Sequence, residues 1–413
     1  MLQDRPDRFG EGKGLKPFIH VGKTDATPAE AGYRPETLEK LNALLDGLVE
    51  SGKLTGASYI MSREGRVFAH RAAGRLREEP DSPPLTTEAI RRIASVTKIF
   101  TAACILRLAE DGRLWLKQPV GDFIDEFRQK PFDRINIQHL LTHTSGLRPD
   151  PGYFLEPYPV GWRDWAYAFG HEEAAGGKDV GKPSGAEPDI ARRSRWIRAI
   201  LAGPPQNEPG EAWCYSTAGY VILGEIIRRV TGRPHEEVFR QMIFEPLGMR
   251  RTFFTVPAEL RDQVCVINDR EKQFLERTPG PDDPPLTGGG MYSTLGDLHR
   301  FGLMLMNGGT WDGARVLGRK TVELMRRDRF PDGIRAFHWG ENTRDFHMGL
   351  GAAIGRIGEP FRGTAFGHEG AGRSMLLVDP AERFVAVYFV PSNVDWLPES
   401  MINVRTMMWA GLK

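Results

Sequence analysis

The chain runs to 413 residues, 40% hydrophobic and 10% aromatic, the proportions of an ordinary globular protein. Its 55 basic and 54 acidic residues leave a formal net charge of +1, which removes any bulk electrostatic case for nucleic acid or an anionic membrane. Cys104, Cys214 and Cys265 form no Cys-x-x-Cys or Cys/His cluster, so neither a metal nor any other cofactor is implied.

Cys104 and Cys214 lie in apolar runs, as small core hydrophobes do. The first twenty residues are polar and Gly-rich with no apolar stretch of the export-signal kind, and nothing later approaches the roughly 18 apolar residues of a membrane span. A cytoplasmic location is the expectation. The length exceeds one ordinary core, so one large domain with an insertion, or two domains, is expected.

Residues 1–31 read as an extended arm. Pro35 and Glu36 then open an amphipathic helix with Leu38, Leu41, Leu44, Leu45 and Leu48 at helical spacing, ended near Gly52 and Gly56. Ala57–Ser62 and Val67–Arg71 read as strands of a hairpin. The stretch Lys98–Glu110 is apolar on nearly every face, which predicts a helix buried through the centre, stopped at Asp111 and Gly112.

From 131 to 269 helical signals dominate: Ile137–Thr142, Arg193–Ala202, Ala218–Thr231 and His235–Ile243. A loop over 148–189 interrupts them, rich in Tyr153, Phe154, Tyr158, Trp162, Trp165, Tyr167 and Phe169. It suits either a wall over a substrate cleft or a packed surface excursion. After 270 strand signals return, at Thr364–Gly367, Ser374–Val378 and Phe384–Phe389, followed by a closing helix over Met401–Leu412. The layout predicts an α+β fold. Residues 32–130 and 270–413 build a central antiparallel sheet flanked by helices, and 131–269 form an inserted, mostly helical domain. A cleft between them is where the chemistry belongs.

Ser95-Val96-Thr97-Lys98 is the chain's single S-x-x-K. Positions three apart share a helix face, so the Lys98 amine can reach the Ser95 hydroxyl. Serine is a weak nucleophile until a base takes its proton, and burial in the apolar helix would lower the Lys98 pKa toward that task. Chance alone supplies on the order of one such motif in a chain this long. What distinguishes this copy is that it opens the most buried helix, whose first N–H groups also suit an oxyanion.

Two further segments carry polar chemistry. Tyr215-Ser216-Thr217 precedes the helix at Ala218; Tyr215 there can share a proton with Lys98, or the segment can simply cap, with Ser216 or Thr217 as N-cap. Gly367-His368-Glu369-Gly370-Ala371-Gly372 lies between strand signals, where glycine permits close approach to a ligand, or makes an ordinary turn.

Taken in order, Ser95/Lys98, Tyr215/Thr217 and His368/Gly370 resemble the serine β-lactamase-like superfamily: penicillin-binding proteins, class C β-lactamases, D-aminopeptidases and β-lactamase-like (family VIII) carboxylesterases. Flanking phrases match too: Leu140–Leu147, Tyr215–Gly224, Phe244–Met249 and Gly288–Thr294, over roughly residues 35–410. The resemblance implies acylation of Ser95, proton management by Lys98 and Tyr215, and an oxyanion between the N–H groups of Ser95 and Ala371. His368, Glu369, Gly370 and Thr217 would touch substrate.

Two departures narrow the expectation. Lactamases usually place Lys-Thr where this chain has His368-Glu369, a poor grip for a substrate carboxylate, and Thr217 stands where an Asn amide is common. A carboxylesterase acting on a neutral ester follows. The alternatives are an acyltransferase using the same acyl-enzyme and a D-amino-acid amidase or aminopeptidase in which Glu369 holds an ammonium. A β-lactamase, a DD-peptidase or a non-catalytic scaffold fits less well. The partner is a small-molecule ester or amide; oligomeric state is unreadable. His143, His338 and His347 are expected to pack. No Gly-x-Ser-x-Gly competes for the nucleophile.

Overall fold

A computed structural model of the protein describes residues 17–413 apart from 80, 151, 155–188, 203, 281, 339–340, 355–362, 372 and 393–398. Most of the aromatic loop, including Tyr158, Trp162, Trp165, Tyr167 and Phe169, therefore lies outside the described residues, as do residues 1–16 of the arm.

Seven strands form the main sheet: β1 (Ile19–Val21), β2 (Gly56–Arg63), β3 (Arg66–Gly74), β4 (Ala353–Ile354), β5 (Phe366–Gly370), β6 (Ser374–Asp379) and β7 (Phe384–Phe389). Their spatial order is β1-β3-β2-β7-β6-β5-β4, antiparallel throughout. The sheet is thus assembled from both ends of the chain, joined where β2 meets β7, with Tyr59 opposite Tyr388. The arm contributes too: Ile19 pairs with Ala73 at the edge.

Side chains alternate across a strand, and the two faces carry separate cores. Tyr59, Met61, Met375, Leu377, Ala386 and Tyr388 pack with the helices α1 (Pro35–Glu50) and α5 (Val404–Ala410). Ile60, Leu376, Val378, Val385 and Val387 face the other way, onto α2 (Thr97–Glu110) and α4 (Leu295–Met306). Between these two helices in sequence comes α3 (Thr217–Thr231). All but three residues of α2 are buried, so its apolar-all-round pattern has the predicted cause.

The structure adds helices to the strand signals read after 270: Asp269–Glu276, Leu295–Met306 and Arg319–Arg326. Thr294 caps α4 through the Asp297 N–H, and Gly302 lies so close to the sheet that a Cβ there would sit 2.6 Å from Val385. Of the two readings of the Gly-rich segment, residues 368–370 are strand, with turn residues at 371 and 373. Residues 131–269 are mainly helical where described, with short strands at Ala212–Trp213 and Val264–Cys265. All three cysteines are buried and unpaired with one another. No helix among the described residues is long and apolar enough to cross a membrane.

The approach to Ser95 is anchored by a buried ion pair. Ile90–Arg92 forms a short strand between Val264–Cys265 and Tyr292–Ser293. The Arg91 guanidinium, fully enclosed, grips both oxygens of Glu271, one at 2.8 Å, and donates to the Cys265 carbonyl at 3.0 Å. Breaking such a pair from one side leaves a charge without water or partner. Glu271→Leu should therefore lower unfolding stability by about 3 kcal/mol, and Arg91→Met added to it should recover much of the loss. Urea unfolding followed by circular dichroism checks both; an unchanged midpoint for Glu271→Leu would show the pair to be incidental.

Candidate active site

Ser95 occupies a single 3₁₀ turn, Ala94–Val96, that feeds α2. Ala94 has φ +44°, a left-handed value that costs a residue with a Cβ and persists only where surroundings enforce it. Here they do. Thr97 Oγ1 donates to the Ala94 carbonyl at 2.6 Å, Ser374 Oγ donates to the Ile93 carbonyl at 2.7 Å, and the Ile93 N–H donates to Met291 at 2.9 Å. A Cβ on Gly370 would lie 2.2 Å from the Ile93 carbonyl oxygen, so only glycine lets β5 come this close to the turn that carries Ser95.

One turn on, Lys98 is wholly buried. Its ammonium donates to Ser95 Oγ at 3.1 Å, to Thr217 Oγ1 at 3.2 Å and to the Gly288 carbonyl at 2.6 Å. The rings of Tyr215 and Tyr220 lie 4.7 and 5.6 Å away by their centroids. Burial pulls the Lys98 pKa down to about 8, with the nearby Asp150 carboxylate resisting the fall. Gly288, part of a phrase that had no assigned role, thus reaches the centre of the site through its backbone.

Tyr215 stands just before α3, whose N-cap is Ser216. Capping and catalysis are therefore compatible readings of one segment. Burial raises the Tyr215 phenol well above its ordinary pKa, the neighbouring Tyr153 and Asp150 add to the rise, and a hydrogen bond with Ser95 opposes it. Tyr153 packs against the Tyr215 ring at 4.8 Å and His143 on it at 4.3 Å. His143 Nδ1 accepts the Ser216 N–H at 3.0 Å, and burial holds its pKa well below the usual histidine range.

His368 lies in β5 with its ring centroid 6.3 Å from that of Tyr215. Burial first, then the Lys98 charge, lowers its pKa to about 3, so it is a neutral imidazole. Glu369 is a different case. As the next residue of a strand it projects to the opposite face, and its carboxylate lies 3.8 Å from Arg405 of α5. The resemblance implies that Glu369 touches substrate beside His368; the strand puts the two on opposite faces and Glu369 against Arg405. Ala371 follows in the exposed turn beyond β5.

Asp150 was not singled out in the sequence. Its carboxylate accepts the Thr217 N–H at 2.8 Å and the Thr217 hydroxyl at 2.5 Å, and its own N–H donates to the Tyr215 carbonyl at 2.7 Å. Thr217 accordingly faces Lys98 and Asp150 together.

The beta-lactamase family model matches residues 41–398. The chain belongs to the beta-lactamase family. Protein Rv1367c of Mycobacterium tuberculosis is 29% identical over 341 residues, covering 77% of each chain. Esterase EstB of Burkholderia gladioli is 31% identical over 289 residues, covering 63% of this chain and 68% of its own. Among solved structures, EstCE1, described as a hydrolase with promiscuous acyltransferase activity, is 18% identical with a TM-score of 0.71, over 90% of this chain and 98% of that one. A family VIII carboxylesterase and a class C β-lactamase from Rhodobacter sphaeroides share the fold at TM-scores of 0.65 and 0.62. The β-lactamase/transpeptidase-like fold is therefore that of this family member, and its family is one of serine hydrolases.

If Lys98 is the base, kcat/KM for an activated ester should climb with pH and reach half its plateau near pH 8, as the free enzyme's amine loses its proton. Tyr215 stays protonated and His368 neutral across that range. A profile flat from pH 6 to 9 would remove Lys98 from the role.

Proposed function

We propose that this protein is a serine carboxylesterase that works through an acyl-enzyme on neutral esters. The observation that carries the reading is the contact between the Ser95 hydroxyl and an amine that burial has brought near neutrality. Neutral Lys98 takes the Ser95 proton as Oγ attacks the acyl carbon. The new C–O bond forms, the carbonyl electron pair moves onto oxygen, and the N–H groups of Ser95 and Ala371 receive the oxyanion. Collapse breaks the bond to the alcohol, which leaves with a proton from the Lys98–Tyr215 pair. Water then repeats the sequence on the acyl-enzyme, and an alcohol in its place gives acyl transfer.

The choice of substrate rests on the groups beside Ser95: His368 is a neutral imidazole there, and Glu369 lies across β5 with Arg405, so neither residue offers a substrate carboxylate a cation. The same pairing counts against Glu369 as a holder of a substrate ammonium, which the aminopeptidase alternative requires. The 31% identity to an esterase supports the reading, and the description of EstCE1 makes alcohol acceptors a natural second arm of the assay.

Ser95→Ala should lower turnover of a short-chain nitrophenyl ester by about 10³-fold or more, with Lys98→Ala nearly as damaging because the pair acts as a unit. An aryl phosphonate should add its mass to the peptide carrying Ser95; rates near wild type in Ser95→Ala would end the proposal. A chromogenic cephalosporin should be a poor substrate. Glu369→Thr should leave both activities close to wild type, because that side chain lies across β5 from Ser95.

A further inference from the structure

Lys98 has three hydrogen-bond partners, and they differ in what they can offer it. The Gly288 carbonyl can only accept. Thr217 Oγ1 is a hydroxyl and can in principle donate or accept, but its proton is aligned on Asp150 at 2.5 Å. Toward Lys98 it too can only accept. Ser95 Oγ is the remaining partner and the single one of the three with a proton to give. When Lys98 is neutral it has two N–H bonds and one lone pair. The two N–H bonds satisfy Gly288 and Thr217, and the lone pair is left for Ser95.

We infer that Asp150 is a positioning residue: by fixing the Thr217 hydroxyl as an acceptor, it dictates that the Lys98 lone pair points at Ser95. The inference deepens the acyl-enzyme reading above and rests on it. Without the carboxylate, the Thr217 proton would turn to the neutral amine and compete with Ser95 for it. The loop is built to hold the carboxylate in place. Asp150 N–H donates to the Tyr215 carbonyl, Ser216 Oγ donates to the Arg148 carbonyl at 3.0 Å, and the Tyr153 N–H donates to the Asp150 carbonyl at 3.2 Å. These bonds tie Arg148 and Asp150 to Tyr215 and Ser216 and hold the carboxylate at its hydroxyl.

The arrangement also gives Thr217 a reason to be threonine. An asparagine there offers Lys98 an amide oxygen and a substrate an N–H. Threonine gives up the contact with substrate, and its orientation then needs an outside acceptor, which Asp150 supplies. Among the described residues, the charged and titratable groups facing Lys98 are Ser95 on its own turn, Tyr215 just before α3, Tyr220 within it, His143, His368 from β5 and Asp150 from the loop. Asp150 is the one carboxylate among these.

The test is the rate at which an aryl phosphonate modifies Ser95, followed from pH 6 to 10 in wild type, Asp150→Asn, Thr217→Val and the double variant. This readout depends on nucleophile activation and not on the natural substrate. Asp150→Asn should lower the plateau by about tenfold or more and move the rising limb to lower pH by roughly one unit, since an opposite charge no longer favours the ammonium. On the Thr217→Val background the plateau loss from Asp150→Asn should largely vanish, while the pH displacement persists, because the competing hydroxyl is gone and the charge effect is not.

A carboxylate that only pins the loop would cost the same plateau on both backgrounds, and that result overturns the inference. Should the wild type hydrolyse no ester, the phosphonate rates still decide the matter, because they report Ser95 activation directly. An equal plateau loss from Asp150→Asn with Thr217 intact and on the Thr217→Val background rejects the role of Asp150 whatever the enzyme's substrate.

Discussion

A lysine ammonium wholly removed from water is expensive unless its three N–H bonds are met, and everything around Ser95 is arranged about meeting them. The acceptors come from a serine one helical turn back, a threonine at the head of α3 and a backbone carbonyl at Gly288. Two tyrosine rings supply the rest of the shell. These partners keep the cation folded into the protein, but they do not cancel the loss of solvent, so burial still lowers the pKa. That residual cost is the useful quantity. An amine that titrates near neutrality can take a proton at one step and return it at the next.

Because those partners are scattered along the chain, the site exists only where the fold brings four segments together. The turn at 94–96 is strained and is held by Thr97, Ser374 and Met291, so the sheet and the nucleophile are mechanically one piece. Arg91 and Glu271 fix the strand that leads into that turn. Joining β2 to β7 closes a sheet from residues more than three hundred positions apart, and this is what allows β5 to run past Ser95 at glycine distance. Contacts of such separation form late and slowly, and a local element with its own stability, α2, is a natural surface for them to assemble on.

The legible parts of this design are those whose cause is local. An apolar-all-round run means a buried helix, so α2 and the Ser95–Lys98 spacing were readable from residues 95–110 alone. Short continuous apolar runs made Ser374–Val378 and Phe384–Phe389 readable as strands, and both are buried throughout. The helix α4 went unassigned although Thr294 as N-cap, a length of 12 residues and Leu295, Leu298, Phe301 and Leu305 at helical spacing were available. Glu369 was misplaced for a sharper reason. A period-2 element sends neighbours to opposite faces, and carrying both residues over from the family motif left out that His368 and Glu369 must part company in a strand. Asp150 carries no pattern at all. It is one carboxylate in a loop, and only the hydrogen bonds to residue 217 give it meaning.

Position 217 shows how one substitution can reassign a site without disturbing its nucleophile. An amide at that place is a two-way group: its oxygen accepts from the lysine while its N–H faces the substrate. A hydroxyl has one proton, and once that proton is given to Asp150 nothing remains for the substrate. The change subtracts recognition of an amide-bearing ligand and leaves Ser95, Lys98 and Tyr215 in contact. Losses of polar grip do little harm to a neutral ester, whose affinity comes from apolar surface and whose activated carbonyl asks mainly for a nucleophile and an oxyanion site. The proposed ester hydrolysis is a chemistry that asks least of the recognition lost at position 217.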